Sequence, residues 1–297
     1  MKTNFERSRI MAKGAEPSLM PMSTKRTTIT HLQKMKEEGK LISMVGSGNC
    51  DPLWVAACER AGVNLVRYTA PGENSAEREQ NMYSHTRAIR RLAPNICLNA
   101  VMQSRSYADK YTAVKIGATL MADGADCVMP MGVTNDTLKY MSDNYIPVFG
   151  HVGCLSGWHS VWYGGYKRVG KTAEDAMKVF RQAYEYQENG MVGMTIEMSS
   201  RELTDAIAKK LRVPVIQVAA GGAADGSELV IYDLLGFQPV STMAKHSKCY
   251  RPFFEDSIQA FAEFDADVKN QAYPAEEHGW SMEPSELEKF MDELEKI

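Results

Sequence analysis

From residue 41 onward, short apolar runs alternate with longer segments whose apolar residues recur at helical spacing. The runs are LISMVG (41–46), VNLVRYT (63–69), NICLNAVM (95–102), ADCVMPM (125–131), IPVFGHVG (146–153), GMVGMTIE (190–197), VPVIQVAA (213–220) and QPVSTMAK (238–245). Between them lie DPLWVAACERAG (51–62), a segment through NMYSHTRAIRRL (81–92), YADKYTAVKIGATLMADG (107–124), TNDTLKYMSDN (134–144), KTAEDAMKVFRQAYEYQENG (171–190), SRELTDAIAKKL (200–211) and DGSELVIYDLLG (225–236). The helical run FFEDSIQAFAEFDADVKNQ (253–271) follows the last. The runs are apolar throughout rather than alternating, as parallel strands covered on both faces must be. Gly62, Gly124, Asn144, Gly190 and Gly236 close helical segments. Eight strand–helix units in this order predict an α/β fold, a (β/α)8 TIM barrel. An open doubly wound sheet is the alternative. Against it, no GxGxxG turn follows the first run, because the GSG at 46–48 leads into NCDPLW without the later glycine. The expected division is an N-terminal arm (1–24), a barrel (25–282) and a C-terminal helix (283–297), the last opening on Pro284 and Ser285.

Composition narrows the function classes. The chain has 297 residues, 44% hydrophobic and 24% charged, with a net charge of −3 and no basic block, so a nucleic-acid surface is not indicated. No apolar run approaches the roughly 18 residues of a membrane span. The stretch from Met1 to Pro21 carries Lys2, Arg7, Arg9 and Lys13 but no apolar core, so it reads as an arm and not as a secretory signal. The six cysteines form no CxxC pair, and several lie in apolar runs, as Cys97 does in ICLNAV. That pattern predicts reduced thiols in a cytoplasmic protein and no structural zinc site.

In a barrel, chemistry belongs at the C-terminal ends of the strands. Those ends carry Tyr68 to Glu73 on the second run, Val101 to Gln103 on the third, Met129 to Met131 on the fourth, His151 on the fifth, Glu197 on the sixth, and Gly221 and Gly222 beyond the seventh. Glu197 directly follows GMVGMTI. A carboxylate at the mouth of a buried strand suits proton transfer; an acid in the first turn of the next helix fits the same position. His151 follows IPVFG and, taken alone, reads as a packed core histidine before a site residue. Lying on adjacent strands, the two can share one site. GGYKRVGKT (164–172) lacks Walker A spacing and reads as an active-site lid or a surface loop. GGAADG (221–226) is either an anion cradle at a helix start or a tight turn.

These segments resemble the ketopantoate hydroxymethyltransferase family of the phosphoenolpyruvate/pyruvate barrel superfamily. The likeness runs from about Lys25 to about Trp280, through TTITHLQKMKEEGK, YSHTRAIRRLAPN, IPVFGHVG, GGYKRVGKT, VPVIQVAAGGAADGSELVIYDLLGF and YPAEEHGWSM. It implies the barrel fold, a homo-oligomer, and transfer of a one-carbon unit from methylene-tetrahydrofolate to a branched 2-oxo acid held by Mg²⁺. By the resemblance, Glu197 is the glutamate that exchanges the proton, His151 the histidine after strand five, and Asp51 the aspartate of the first strand–helix turn. The acids that hold or support the metal at the ends of strands two, three and four correspond here to Ala70, Val101 and Met131. Met129 stands for a lysine and Pro71 for a serine. Alanine, valine and methionine offer Mg²⁺ no hard oxygen, and Glu73 is the only carboxylate nearby. The family's metal site is therefore expected to be absent, with Ala70, Val101, Met131, Asp51 and Lys167 contacting a small-molecule substrate. Another group must then polarise the oxo oxygen. Arg67, Asn99, Gln103, Arg105, His159 and Lys167 are in range, and no pattern singles one out. The expectation is an aldol-type carbon–carbon bond enzyme with Glu197 as base. The alternatives are the parental hydroxymethyl transfer and a non-catalytic binding barrel.

Overall fold

The computed structural model describes residues 26–103, 106–155, 159–162 and 164–297, so the expected arm and Arg105 lie outside the described residues. Eight strands are present: β1 (Ile42–Gly48), β2 (Leu65–Tyr68), β3 (Cys97–Met102), β4 (Cys127–Pro130), β5 (Phe149–Gly153), β6 (Gly193–Glu197), β7 (Val215–Val218) and β8 (Gly226–Val230). They pair in parallel in the order β4-β3-β2-β1-β8-β7-β6-β5, so the first and last strands meet. The β4/β5 seam is joined by one bridge, Val128 to Val148, where the Val128 amide donates to the Pro147 carbonyl at 3.0 Å. This is the TIM-barrel arrangement the sequence predicts.

Helix α1 (Ile29–Glu37) precedes β1. Then α2 (Pro52–Arg60), α3 (Ser75–Leu92), α4 (Lys110–Ala122), α5 (Asn135–Asp143), α6 (His159–Trp162), α7 (Ala173–Glu188) and α8 (Arg201–Lys210) lie between successive strands. Side chains fix where several of them begin: Asp51, Asn74, Asp109, Thr134, Thr172 and Ser200 each accept a hydrogen bond from a first-turn amide. Two cores result. One, between strands and helices, contains Val66, Tyr68, Ala70, Leu98, Ala100, Val152, Met194 and Ile196. The other fills the barrel with Ile42, Met44, Leu65, Cys97, Cys127, Met129, Phe149 and Ile216, and Leu32 of α1 joins it. Because side chains alternate along a strand, these two sets fix which residues face inward. Gly193 leaves room for Phe149, since a Cβ there would collide with the ring.

The C-terminal quarter departs from the expected pattern. The eighth strand is Gly226–Val230, not 238–245, and residues 240–242 form a 3-10 turn instead. No helix separates β7 from β8. The expected helix over 225–236 is instead β8 followed by the short α9 (Ile231–Leu234). The reason lies in Glu228, which points into the barrel while Ser227 is exposed, inverting the hydropathy alternation that marks a strand. The segment 219–225 is a turn in which three of the amides are already engaged. Gln217 Oε1 accepts from the amides of Ala220 and Gly221, and Asp205 accepts from the amide of Ala223. Asp225 anchors its end, bonding the Val215 amide at 2.8 Å and Lys36 at 2.6 Å.

Beyond the barrel, α10 (Phe253–Lys269) and α11 (Pro284–Leu294) bury no residue. Phe254, Ile258, Phe261, Phe264 and Val268 of α10 are exposed, as is Trp280. All six cysteines are free, four of them buried. No helix among the described residues is long and apolar enough to cross a membrane.

Candidate active site

The barrel interior is apolar at its base and polar above. Parity from Leu65, Cys97 and Phe149 turns Arg67, Asn99 and His151 inward, and Thr195 and Glu197 follow Gly193 on the same face. Arg67 is in register with Asn99 on β3, and His151 with Thr195 on β6. Glu228 reaches Arg67 across β1: its Oε1 accepts from Arg67 Nε at 2.7 Å and from Nη2. Gly46 lies between them: a Cβ there would stand 2.5 Å from Glu228 Oε1 and 3.1 Å from Arg67 Nη2, so a larger residue requires the pair to shift.

The two residues singled out by the strand pattern meet. His151 Nε2 lies 3.0 Å from Glu197 Oε2, with the histidine side chain 1% and the glutamate 16% exposed. They touch without the alignment of a hydrogen bond, and both imidazole nitrogens lack a hydrogen-bond partner. Gly153 lets β5 end beside β6. It has φ +91°, and a Cβ there would strike the Glu197 carbonyl. Cys154 donates its amide to that carbonyl at 2.9 Å. Met198, next after Glu197, takes φ +52°, a left-handed conformation unusual for a side-chain-bearing residue and common where a strand end is held for function.

Burial disfavours the Arg67 charge, but Glu228, with Glu197 and Tyr166, outweighs it and holds the guanidinium above its ordinary range. Tyr166 belongs to the 164–172 segment, which therefore lies against the site: Val169 bridges to Ser199 and donates its amide to the Met198 carbonyl at 3.0 Å. Several buried polar atoms of the interior have no partner: both side-chain atoms of Asn99, Thr195 Oγ1 and Glu228 Oε2.

Other sequence candidates fall elsewhere. Ala70 is fully buried in the helix-side core. Val101 and Met131 are half-buried, Met131 against the interior core. Asp51 is exposed, and its Oδ1 accepts from the Leu53 amide, capping α2. Lys167 is exposed on the 164–172 segment. Gln103 donates to Thr69 Oγ1 at 3.0 Å, and His159 stacks on Tyr107 at 6.4 Å between ring centroids. Sequence reasoning missed Glu228 and Thr195 and left Arg67 and Asn99 undistinguished. The available signal was a polar residue inside an apolar run, as in LVRY, CLNAV, GMTIE and SELV, with all four falling at neighbouring levels of the barrel.

The model of the family described as ketopantoate hydroxymethyltransferase matches residues 26–276. The chain belongs to this family. It is 30% identical over 297 residues to 3-methyl-2-oxobutanoate hydroxymethyltransferase 1 of Methylibium petroleiphilum, covering 95% of this chain and 98% of that one. With the 3-methyl-2-oxobutanoate hydroxymethyltransferase of Hyperthermus butylicus it shares 32% over 277 residues, covering 89% and 94%. Among solved structures it is similar to 2,3-dimethylmalate lyase, of the PEP mutase/isocitrate lyase superfamily, with TM-score 0.52 and 14% identity over 91% of this chain and 97% of that one. An oxaloacetate acetylhydrolase bound to 3,3-difluorooxalacetate gives TM-score 0.52 and 11% identity over 91% and 95%. The structural likenesses show the barrel fold. Family membership makes this protein an enzyme, a transferase or lyase, and displaces the expectation of a non-catalytic barrel.

The resemblance also implies Mg²⁺, and the three positions that correspond to its acidic residues by that resemblance carry no carboxylate here. Ala70, Val101 and Met131 supply no oxygen ligand from their side chains, and Glu73 is exposed with its amide bonded to Glu77. Among the described residues no three His, Cys, Asp or Glu cluster to hold a metal. The inward carboxylates are Glu197, against His151, and Glu228, engaged by a guanidinium that repels a dication.

Proposed function

We propose that this enzyme carries out aldol-type carbon–carbon bond chemistry on a small 2-oxo acid, with Glu197 as general base and without a protein-held divalent cation. The contact between Glu197 and His151 at the barrel mouth carries this reading. Glu197 takes the proton from the carbon beside the oxo group, and the released electron pair moves onto the oxo oxygen as an enolate. The enolate carbon then bonds to a carbonyl-level one-carbon electrophile, whose oxygen takes up a proton. His151, touching the carboxylate, sets its orientation.

A second reading, the parental transfer from methylene-tetrahydrofolate to 3-methyl-2-oxobutanoate, is supported by the family match across residues 26–276. One assay separates the two: 3-methyl-2-oxobutanoate in D2O, followed by NMR for loss of its C3 proton, with EDTA or with Mg²⁺, and with or without methylene-tetrahydrofolate. Exchange that proceeds in EDTA is the expected result. Exchange and ketopantoate formation that both require Mg²⁺ would establish the parental reaction and end the metal-free one.

We also propose that the chain assembles with copies of itself, with the arm (1–24), α10 and the C-terminal helix (283–297) as contact segments. The exposed apolar residues of α10 and α11, among them Phe261 and Phe290, support this. Sedimentation equilibrium should give a mass that is a multiple of the 33.1 kDa chain. Phe261→Lys should lower it, and a wild-type monomer at micromolar concentration would refute the assembly.

A further inference from the structure

Proton transfer at Glu197 leaves the buried polar layer beside it unused. We propose, resting on the oxo-acid reading above, that this layer is an anion site centred on Arg67. It takes the carboxylate and oxo oxygens of the substrate and so replaces the cation as their anchor.

Arg67 has the free donors to do this. A guanidinium carries five N–H groups in one plane. Two of them, on Nε and Nη2, are committed to Glu228 Oε1. The Nη1/Nη2 edge retains the spacing that binds two carboxylate oxygens together. The side chain is 20% exposed, while that of Glu228 is wholly buried. Glu228 thus holds the fork from behind and leaves its outer edge toward the mouth. The backbone accommodates the pair, since a Cβ at position 46 would crowd it.

The neighbouring groups lack partners that such a ligand would supply. Asn99, in register with Arg67, is fully buried with both Oδ1 and Nδ2 unbonded. Thr195 Oγ1 is equally buried and unbonded, one layer below Glu197 on the same strand face. A buried polar group without a partner destabilises the fold until a ligand supplies one. A small acid bearing an oxo or hydroxyl group beside its carboxylate satisfies the donors of Arg67 and Asn99, and its hydroxyl form satisfies the acceptor Glu228 Oε2. A buried ion pair kept only for stability is a poor use of these positions, because apolar residues of similar volume serve as well or better. The guanidinium also lies within the electrostatic reach of Glu197 and of Tyr166 on the 164–172 segment.

The test uses oxalate, a planar stand-in for the enolate of a 2-oxo acid, titrated calorimetrically into the full chain in EDTA. Wild type is expected to bind. The double variant Arg67→Met/Glu228→Leu removes both charges together and so avoids a stranded carboxylate; circular dichroism confirms its fold. It should lose oxalate affinity by about 30-fold or more, and Asn99→Leu by roughly 10-fold. Glu197→Gln should retain binding. No binding by wild type in EDTA, binding that appears only with Mg²⁺, or a folded double variant that binds as wild type does would each overturn the site. The general-base reading fails separately: Glu197→Gln with undiminished deuterium exchange sinks it while leaving Arg67-dependent oxalate binding intact.

Discussion

Glu197→Gln is expected to slow C3 deuterium exchange of 3-methyl-2-oxobutanoate by about 10²–10⁴-fold, the usual worth of a positioned base. The substitution keeps the shape of the side chain and removes its capacity to accept a proton. Because Glu197 is a sixth exposed and its ion-pair-distance contact among the described residues is with His151, the fold should be undisturbed. The same urea midpoint in both proteins checks this, so a rate loss can be assigned to chemistry. Exchange at the wild-type rate would remove Glu197 from the mechanism. His151→Ala should give a smaller loss, since the histidine orients the carboxylate and does not take the proton itself.

Arg67→Met alone is expected to destabilise the barrel by about 3–5 kcal/mol, measured by urea unfolding at neutral pH. The magnitude comes from what is left behind: a Glu228 side chain with no solvent exposure, whose Oε1 has lost both donors and whose Oε2 had none. Adding Glu228→Leu should recover most of the loss, because the stranded charge goes with it. A loss below about 1 kcal/mol for Arg67→Met would place the pair with ordinary exposed ion pairs. The strand that carries Glu228 is paired with β1 and β7, so the destabilisation is global rather than a local fraying.

The barrel was legible in the sequence because most of its strands obey a simple rule. Runs such as ICLNAV and PVFG are apolar on both faces, and only a parallel strand between core and helices is covered that way. The rule failed at β8 for a reason tied to function. With Glu228 inside and Ser227 outside, the segment looks like one face of a helix, while QPVSTMAK mimics a strand without any β partner to receive it. The pairing of His151 with Glu197 was readable because both lie toward the C-terminal ends of consecutive strands. Ala70 was misleading: it sits at a strand end, but one residue out of phase with Arg67 and Thr69, so its side chain enters the helix-side core. Phase within a strand, which decides inward from outward, is set by register against neighbours, and one chain's hydropathy carries little of that information where polar residues line the interior.

Pairing of the first strand with the last has a consequence for how the protein is made. Residues 42–48 leave the ribosome early and gain β2 as a neighbour soon after, but their other edge has no partner until residues 226–230 emerge. Through that interval the nascent chain displays a row of unpaired peptide groups flanked by the apolar side chains of Met44 and Val45, a surface that invites association between chains. A premature stop ahead of Val230 makes the interval permanent.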